Sequence, residues 1–116
     1  MATFLLMISF QASADIMHYT LCSLNEGKTI DDAQAWLDDW RALVNKHDIS
    51  YSARLLLPHA STEQIGQFYI EGSSPTMSTY AAAWDWWYYN EDAAPSNAQL
   101  VDVAACGQNA VYVTTD

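Results

Sequence analysis

Between Ser74 and Asn90 the chain reads SPTMSTYAAAWDWWYYN, which holds three of its five tryptophans and three of its seven tyrosines. Ser74 is a good N-cap and Pro75 suits a first helical position, so the stretch predicts a helix. At about 100° per residue, Met77, Tyr80, Trp84, Trp87 and Tyr88 share one face. Trp86 and Tyr89 point the other way, with Ser78, Ala82 and Asp85. A sheet covers only one side of a helix. The stretch is therefore expected to form the lid of a small α+β domain, its far side meeting something else.

The remaining elements supply that sheet. Ile16–Ser23 alternates, with Met17, Tyr19 and Leu21 against His18, Thr20 and Cys22, and reads as a strand whose apolar face turns inward. Asn25-Glu26-Gly27 is a turn. Thr29 then opens a helix, with Asp32 three residues on as in a capping box and Asp31 in the first turn. Ile30, Ala33, Trp36, Leu37, Trp40, Leu43, Val44 and His47 form its apolar stripe. Ser50–Leu57 is a second strand, ended by Pro58, with Tyr51, Ala53, Leu55 and Leu57 inward. His59–Gly66 is a polar connection. Gln67–Glu71 is a third strand, with Phe68 and Ile70 inward. Glu91–Ala98 reads as loop, Gln99–Ala105 as a short strand, and Asn109–Thr115 as a stronger one.

Strand, helix, strand, strand, helix, strand is the ferredoxin-like βαββαβ order. It predicts a four-stranded antiparallel sheet with two helices on one face. Over Ile16–Asp116 the order and lengths resemble the dimeric α+β barrel superfamily, and NEGKTIDDAQAWL resembles the turn and first helix of such domains. That superfamily includes small cofactor-free monooxygenases of antibiotic biosynthesis, stress-responsive barrel proteins and many uncharacterised bacterial domains. The resemblance implies a homodimer. It carries no catalytic motif, so no catalytic residue transfers to this chain.

The 116 residues make one domain, residues 15–116, preceded by a segment at 1–14. In that segment FLLMISF is followed by Ala12-Ser13-Ala14, which resembles a signal-peptidase site, yet no Lys or Arg precedes it. Two readings stay open, a signal-like segment and an extra strand. The missing basic region favours a cytoplasmic chain, with export as the other reading. No apolar run approaches the roughly 18 residues that span a bilayer. A net charge of −10 argues against nucleic acid and against an anionic membrane surface as partners.

Dinucleotide, P-loop, zinc-protease and nucleophile-elbow motifs are absent from the sequence, so nothing implies a cofactor. The histidines His18, His47 and His59 show no metal-ligand spacing, and no metal site is expected. His59 follows the second strand where loops converge, as a ligand-facing acid or base would. Together with Tyr51, Trp84 and Trp87 it outlines a candidate pocket for a small apolar or aromatic molecule between helices and sheet. A structural module with a packed core accounts for the same rings. A cavity of about 300 Å³ or more with polar groups at its border is the observation that separates the two. On the opposite sheet face His18, Arg54, Leu56, Tyr69, Glu71 and Tyr112 mix aromatic, aliphatic and charged side chains, as a dimer interface does. Because first and last strands are neighbours in this fold, Cys22 is expected beside Cys106, bonded if the protein is exported and as two free thiols if it is cytosolic.

Overall fold

The computed structural model describes residues 15–60 and 65–115. The expectation for residues 1–14 lies outside them. The chain runs β1 (Ile16–Leu24), α1 (Ile30–Lys46), β2 (Ser52–Leu56), β3 (Gln67–Ser74), α2 (Met77–Tyr89), α3 (Ala94–Val103) and β4 (Ala104–Val113). The strands form one antiparallel sheet in the order β2-β3-β1-β4, as the ferredoxin-like reading requires.

The expected capping box opens α1. The Thr29 backbone N–H donates to Asp32 Oδ2 at 2.8 Å, and the Asp32 N–H points back to Thr29 Oγ1. The helix buries Ala33, Trp36, Leu37, Trp40 and Val44, the predicted stripe. Burying each tryptophan contributes up to about 5 kcal/mol by area alone.

The second helix starts later than the sequence predicts. Ser74 is the last residue of β3, where its hydroxyl donates to Ser50 O, and the cap is Thr76, reciprocated by Thr79. Its contact line also differs. Ala83 is buried, so the helix meets the sheet along Tyr80, Ala83, Trp84 and Trp87, leaving Met77 and Tyr88 exposed. Trp86, expected on the far side, turns back against His47, with ring centroids 5.5 Å apart. Tyr89 does face away and is 83% exposed.

Residues expected as loop and short strand form the additional helix α3, and β4 begins at Ala104 instead of Asn109. Pro95-Ser96-Asn97 reads as turn chemistry, but Pro is equally at home in a first helical turn. Tertiary bonds fix the outcome. The Trp36 indole N–H donates to Ser96 O at 3.0 Å, and the Asn97 amide donates to Trp87 O.

The largest correction concerns the phase of β1. His18 and Cys22 face the helices and are buried, as is Ile16, while Met17, Tyr19 and Leu21 lie on the opposite face. His18 is therefore no part of the outer face to which the sequence assigns it. The inward row is set by cross-strand partners, His18 against Gly72 and Cys22 against Phe68. Hydrophobicity along β1 points the other way, because Met, Tyr and Leu are the more apolar set.

Candidate active or ligand site

A cavity of about 190 Å³ lies between the helices and the inward face of the sheet. All five tryptophans border it, joined by Tyr51 and Tyr88, with Ile49, Ile70 and Leu100 filling between the rings. Among the described residues no Lys, Arg, Asp or Glu lines it. Its polar end is made by three inward residues of the sheet, His18, Thr20 and Asn109, together with the Tyr51 hydroxyl.

These four side chains form one hydrogen-bonded chain. His18 Nδ1 lies 3.2 Å from the Tyr51 hydroxyl and Nε2 lies 3.0 Å from Asn109 Oδ1. Thr20 donates to the same Asn109 oxygen at 2.7 Å. A carboxamide oxygen only accepts, so the partners assign the neutral Nε2–H tautomer, with Nδ1 receiving the Tyr51 proton. The protonation states agree. Burial pulls the His18 pKa below the ordinary 6.5, against an opposing pull from Asn109. Burial also pushes the Tyr51 phenol well above its usual range, so it stays a donor. The imidazole packs edge-on against Trp84, centroids 4.9 Å apart.

Two backbone features place these groups. The first is Gly72. A Cβ there would stand 1.9 Å from the Tyr51 hydroxyl, so the missing side chain is what lets the Tyr51 ring cross β3 and reach His18. The second is a bulge in β4. The register slips between Thr20 and Leu21, and Gln108 takes φ of 51° as the extra residue. The slip turns Cys106 and Asn109, three apart, to the same inward face, as bulges beside functional sites often do. Cys22 and Cys106 are cross-strand partners with Cα atoms 4.0 Å apart, and their sulfurs are bonded.

The structure brings Tyr51, Trp84 and Trp87 together at the cavity but not His59. His59 is exposed past the far end of β2 from Tyr51. The histidine at the cavity is His18. The sequence signal for it is the polar set His18, Thr20 and Cys22 alternating inside an otherwise apolar strand. The indole N–H of Trp84 is buried at the cavity wall, within electrostatic reach of Tyr80 but without a hydrogen bond of good geometry. Among the described residues no three His, Cys, Asp or Glu side chains converge as metal ligands do, and no helix is long and apolar enough to cross a membrane.

The outer face holds Arg54, Leu56, Tyr69, Glu71 and Tyr112 as expected, with Met17, Tyr19 and Leu21 added. Leu21, Tyr69 and Leu56 form one cross-strand row. Tyr19, Glu71 and Arg54 form the next, in which Arg54 pairs with Glu71 and holds its carboxyl below the usual range.

Solved structures share this architecture. A conserved protein of unknown function from Bacteroides thetaiotaomicron, described as a possible oxidoreductase, superposes with a TM-score of 0.61 at 13% identity, covering 89% of this chain and 100% of its own. SnoaB, a cofactor-independent oxygenase from Streptomyces nogalater, gives 0.60 at 6% identity, covering 89% and 95%. The chain has a ferredoxin-like fold. A dimeric ferredoxin-like protein of unknown function from Bacteroides fragilis gives 0.51 at 9% identity, covering 86% and 94%. Identities this low speak for the fold alone. No protein-family profile matches the chain, and no curated protein is similar to it in sequence.

Proposed function

We propose that this protein is a homodimeric small-molecule-binding domain that holds a small apolar or aromatic group in the cavity between helices and sheet. The observation that carries the reading is the inward turn of His18, Thr20 and Asn109. A domain that needed only a core would turn Met17, Tyr19 and Leu21 inward and bury no histidine. At about 190 Å³ the cavity falls short of the roughly 300 Å³ of drug-sized sites. It exceeds the roughly 150 Å³ that holds benzene, so the buried group is about the size of one ring.

A neutral histidine held by a tyrosine in an aromatic cavity also supports a second reading, a cofactor-free oxygenase-like enzyme. The shared fold with SnoaB is consistent with it. In that reading the bound substrate gives a proton to the Tyr51 oxygen while Tyr51 passes its own proton to His18 Nδ1.

The dimer reading rests on the outer face. Tyr112 is exposed and Leu21, Leu56 and Tyr69 are half-buried within one chain, and a two-fold partner offering the same face covers both copies at once. Such an interface buries roughly 1,000 Å² or more.

With all five tryptophans at the cavity, titration with indole or phenol is expected to change the intrinsic fluorescence saturably and to raise the melting temperature. No response to either compound, with a filled interior by crystallography, returns the domain to the structural-module reading. Light scattering at micromolar concentration is expected to give twice the chain mass.

A further inference from the structure

The shape and charge of the cavity narrow the class of group it accepts. A flat aromatic guest is best held between two parallel walls. Here the large panels stand nearly at right angles. Tyr51 meets Trp40 at 80° and Trp84 at 86°, and Trp36 meets Trp87 at 74°. Neighbouring panels tilt by only 34° to 40°, in Trp36–Trp40, Trp84–Tyr88 and Trp86–Trp87. Rings turned at many angles to one another surround the cavity on several sides, so a compact, roughly spherical group can meet aromatic surface all round.

Such a box of π-systems is electrostatically negative at its ring faces. No basic side chain lines the cavity to oppose this. The four basic residues of the chain lie elsewhere: Lys28 pairs with Asp102, Arg41 bonds Ala53 O, Arg54 pairs with Glu71, and Lys46 ends α1. The net charge of −10 biases the surrounding field toward cations. At the same time no carboxylate of the described residues lines the cavity. A primary ammonium or a metal ion would lose strong hydration on entry with no anion to replace it. A quaternary ammonium spreads its charge over methyl groups, is weakly hydrated and matches this box.

We infer that the cavity is an aromatic cage for a quaternary ammonium group of the choline type. This rests on the ligand-binding reading of the site and names its ligand class. The methylated head fills the aromatic box, which is of benzene-holding size. The neutral polar end, with the Thr20 and Tyr51 oxygens, accepts a hydroxyl or similar group two carbons away. His18 stays neutral there and does not repel the charge. Entry is along the rim formed by exposed Tyr88 and Asn109, where α2 leaves the last part of β4 uncovered and Val111 and Val113 are half-exposed.

The test compares choline with its neutral carbon isostere, in which carbon replaces the quaternary nitrogen, by tryptophan-fluorescence titration and calorimetry on the whole protein. Choline is expected to bind at least about tenfold more tightly than the isostere, since size and apolar area are matched and only the charge differs. Tyr88→Leu, at an exposed rim position, is expected to shrink that preference severalfold while leaving the fold intact. Equal binding of the two probes, or tighter binding of the isostere, overturns the cage and leaves the apolar pocket standing. Binding of neither probe overturns the cage. If indole and phenol also fail to bind, the ligand-binding reading falls with it.

Discussion

The two faces of the sheet both depart from the usual pattern of one apolar face and one polar face. The inward face, under the helices, carries His18, Thr20, Cys22 and Asn109 among Phe68, Ile70 and Ala53. The outward face carries Met17, Tyr19, Leu21, Leu56, Tyr69 and Tyr112 beside the Arg54–Glu71 ion pair and the polar pairs Ser52–Ser73 and Ser23–Gln67. The inward face is polar where it borders a cavity. The outward face carries an apolar row, Leu21, Tyr69 and Leu56, where a second copy is proposed to sit. Both faces are fit to be covered, and the richer chemistry lies on the side that hydrophobicity alone would turn to solvent.

Breaking the inward face at its covalent link is expected to have the largest effect. The bond between Cys22 and Cys106 closes 84 residues, and loop-closure entropy puts its contribution at roughly 4.5 kcal/mol. Denaturant unfolding of Cys106→Ala against the oxidised protein is the measurement, and a loss under about 1 kcal/mol would show that the link does little.

Outward, Tyr69→Glu or Tyr112→Glu is expected to weaken association by about 2 kcal/mol or more, because the partner would bury an unpaired charge. The folded monomer should survive, since Tyr112 is 57% exposed within one chain. Light scattering with circular dichroism separates the two effects, and an unchanged dimer would refute sheet-to-sheet pairing.

Gly72→Ala sharpens the comparison from inside. The new methyl group occupies the place of the Tyr51 hydroxyl and is expected to cost about 1–3 kcal/mol. It should also release the Nδ1 side of His18, visible as a changed imidazole nitrogen shift. The smallest effect belongs to Arg54→Ala. Its side chain is 68% exposed, so the ion pair with Glu71 is worth under about 1 kcal/mol to the chain. A larger loss of stability would mean that the outward face is organised by charge.

Much of the fold is legible in the sequence, because it is written in local signals. The Thr29–Asp32 capping box, the Trp36–Trp40 stripe and the Pro58 stop act within a few residues. The strand order follows from them, and it places Cys22 beside Cys106. The site is less legible, because non-local contacts decide it. No local rule says that the tryptophan at 36 fixes a carbonyl at 96, which makes a helix of a stretch that reads as loop. Nor does one say that Gly72 is bare so that a tyrosine from the next strand can cross it. Alternation in β1 shows two faces but not which is inward. When the polar face of a strand lines a cavity, hydrophobicity gives the wrong phase. His59 falls outside the cavity for a related reason. It lies near a strand end, as a site residue should, but Tyr51 marks the other end of that strand.

The central claim is that β1 turns its polar face into the aromatic cavity, and the titration of His18 tests it most directly. Nitrogen-edited NMR of the imidazoles between pH 4 and 8 is expected to show His18 as the neutral Nε2–H tautomer with a midpoint below its ordinary 6.5. The same shift fixes a sign for stability. In the window between the lowered folded value and 6.5 the unfolded chain holds more protons than the folded one, so stability falls as pH drops through that window. A midpoint at or above 6.5, with the nitrogen shifts of a solvent-exposed imidazole, would put His18 on the outer face and contradict the account.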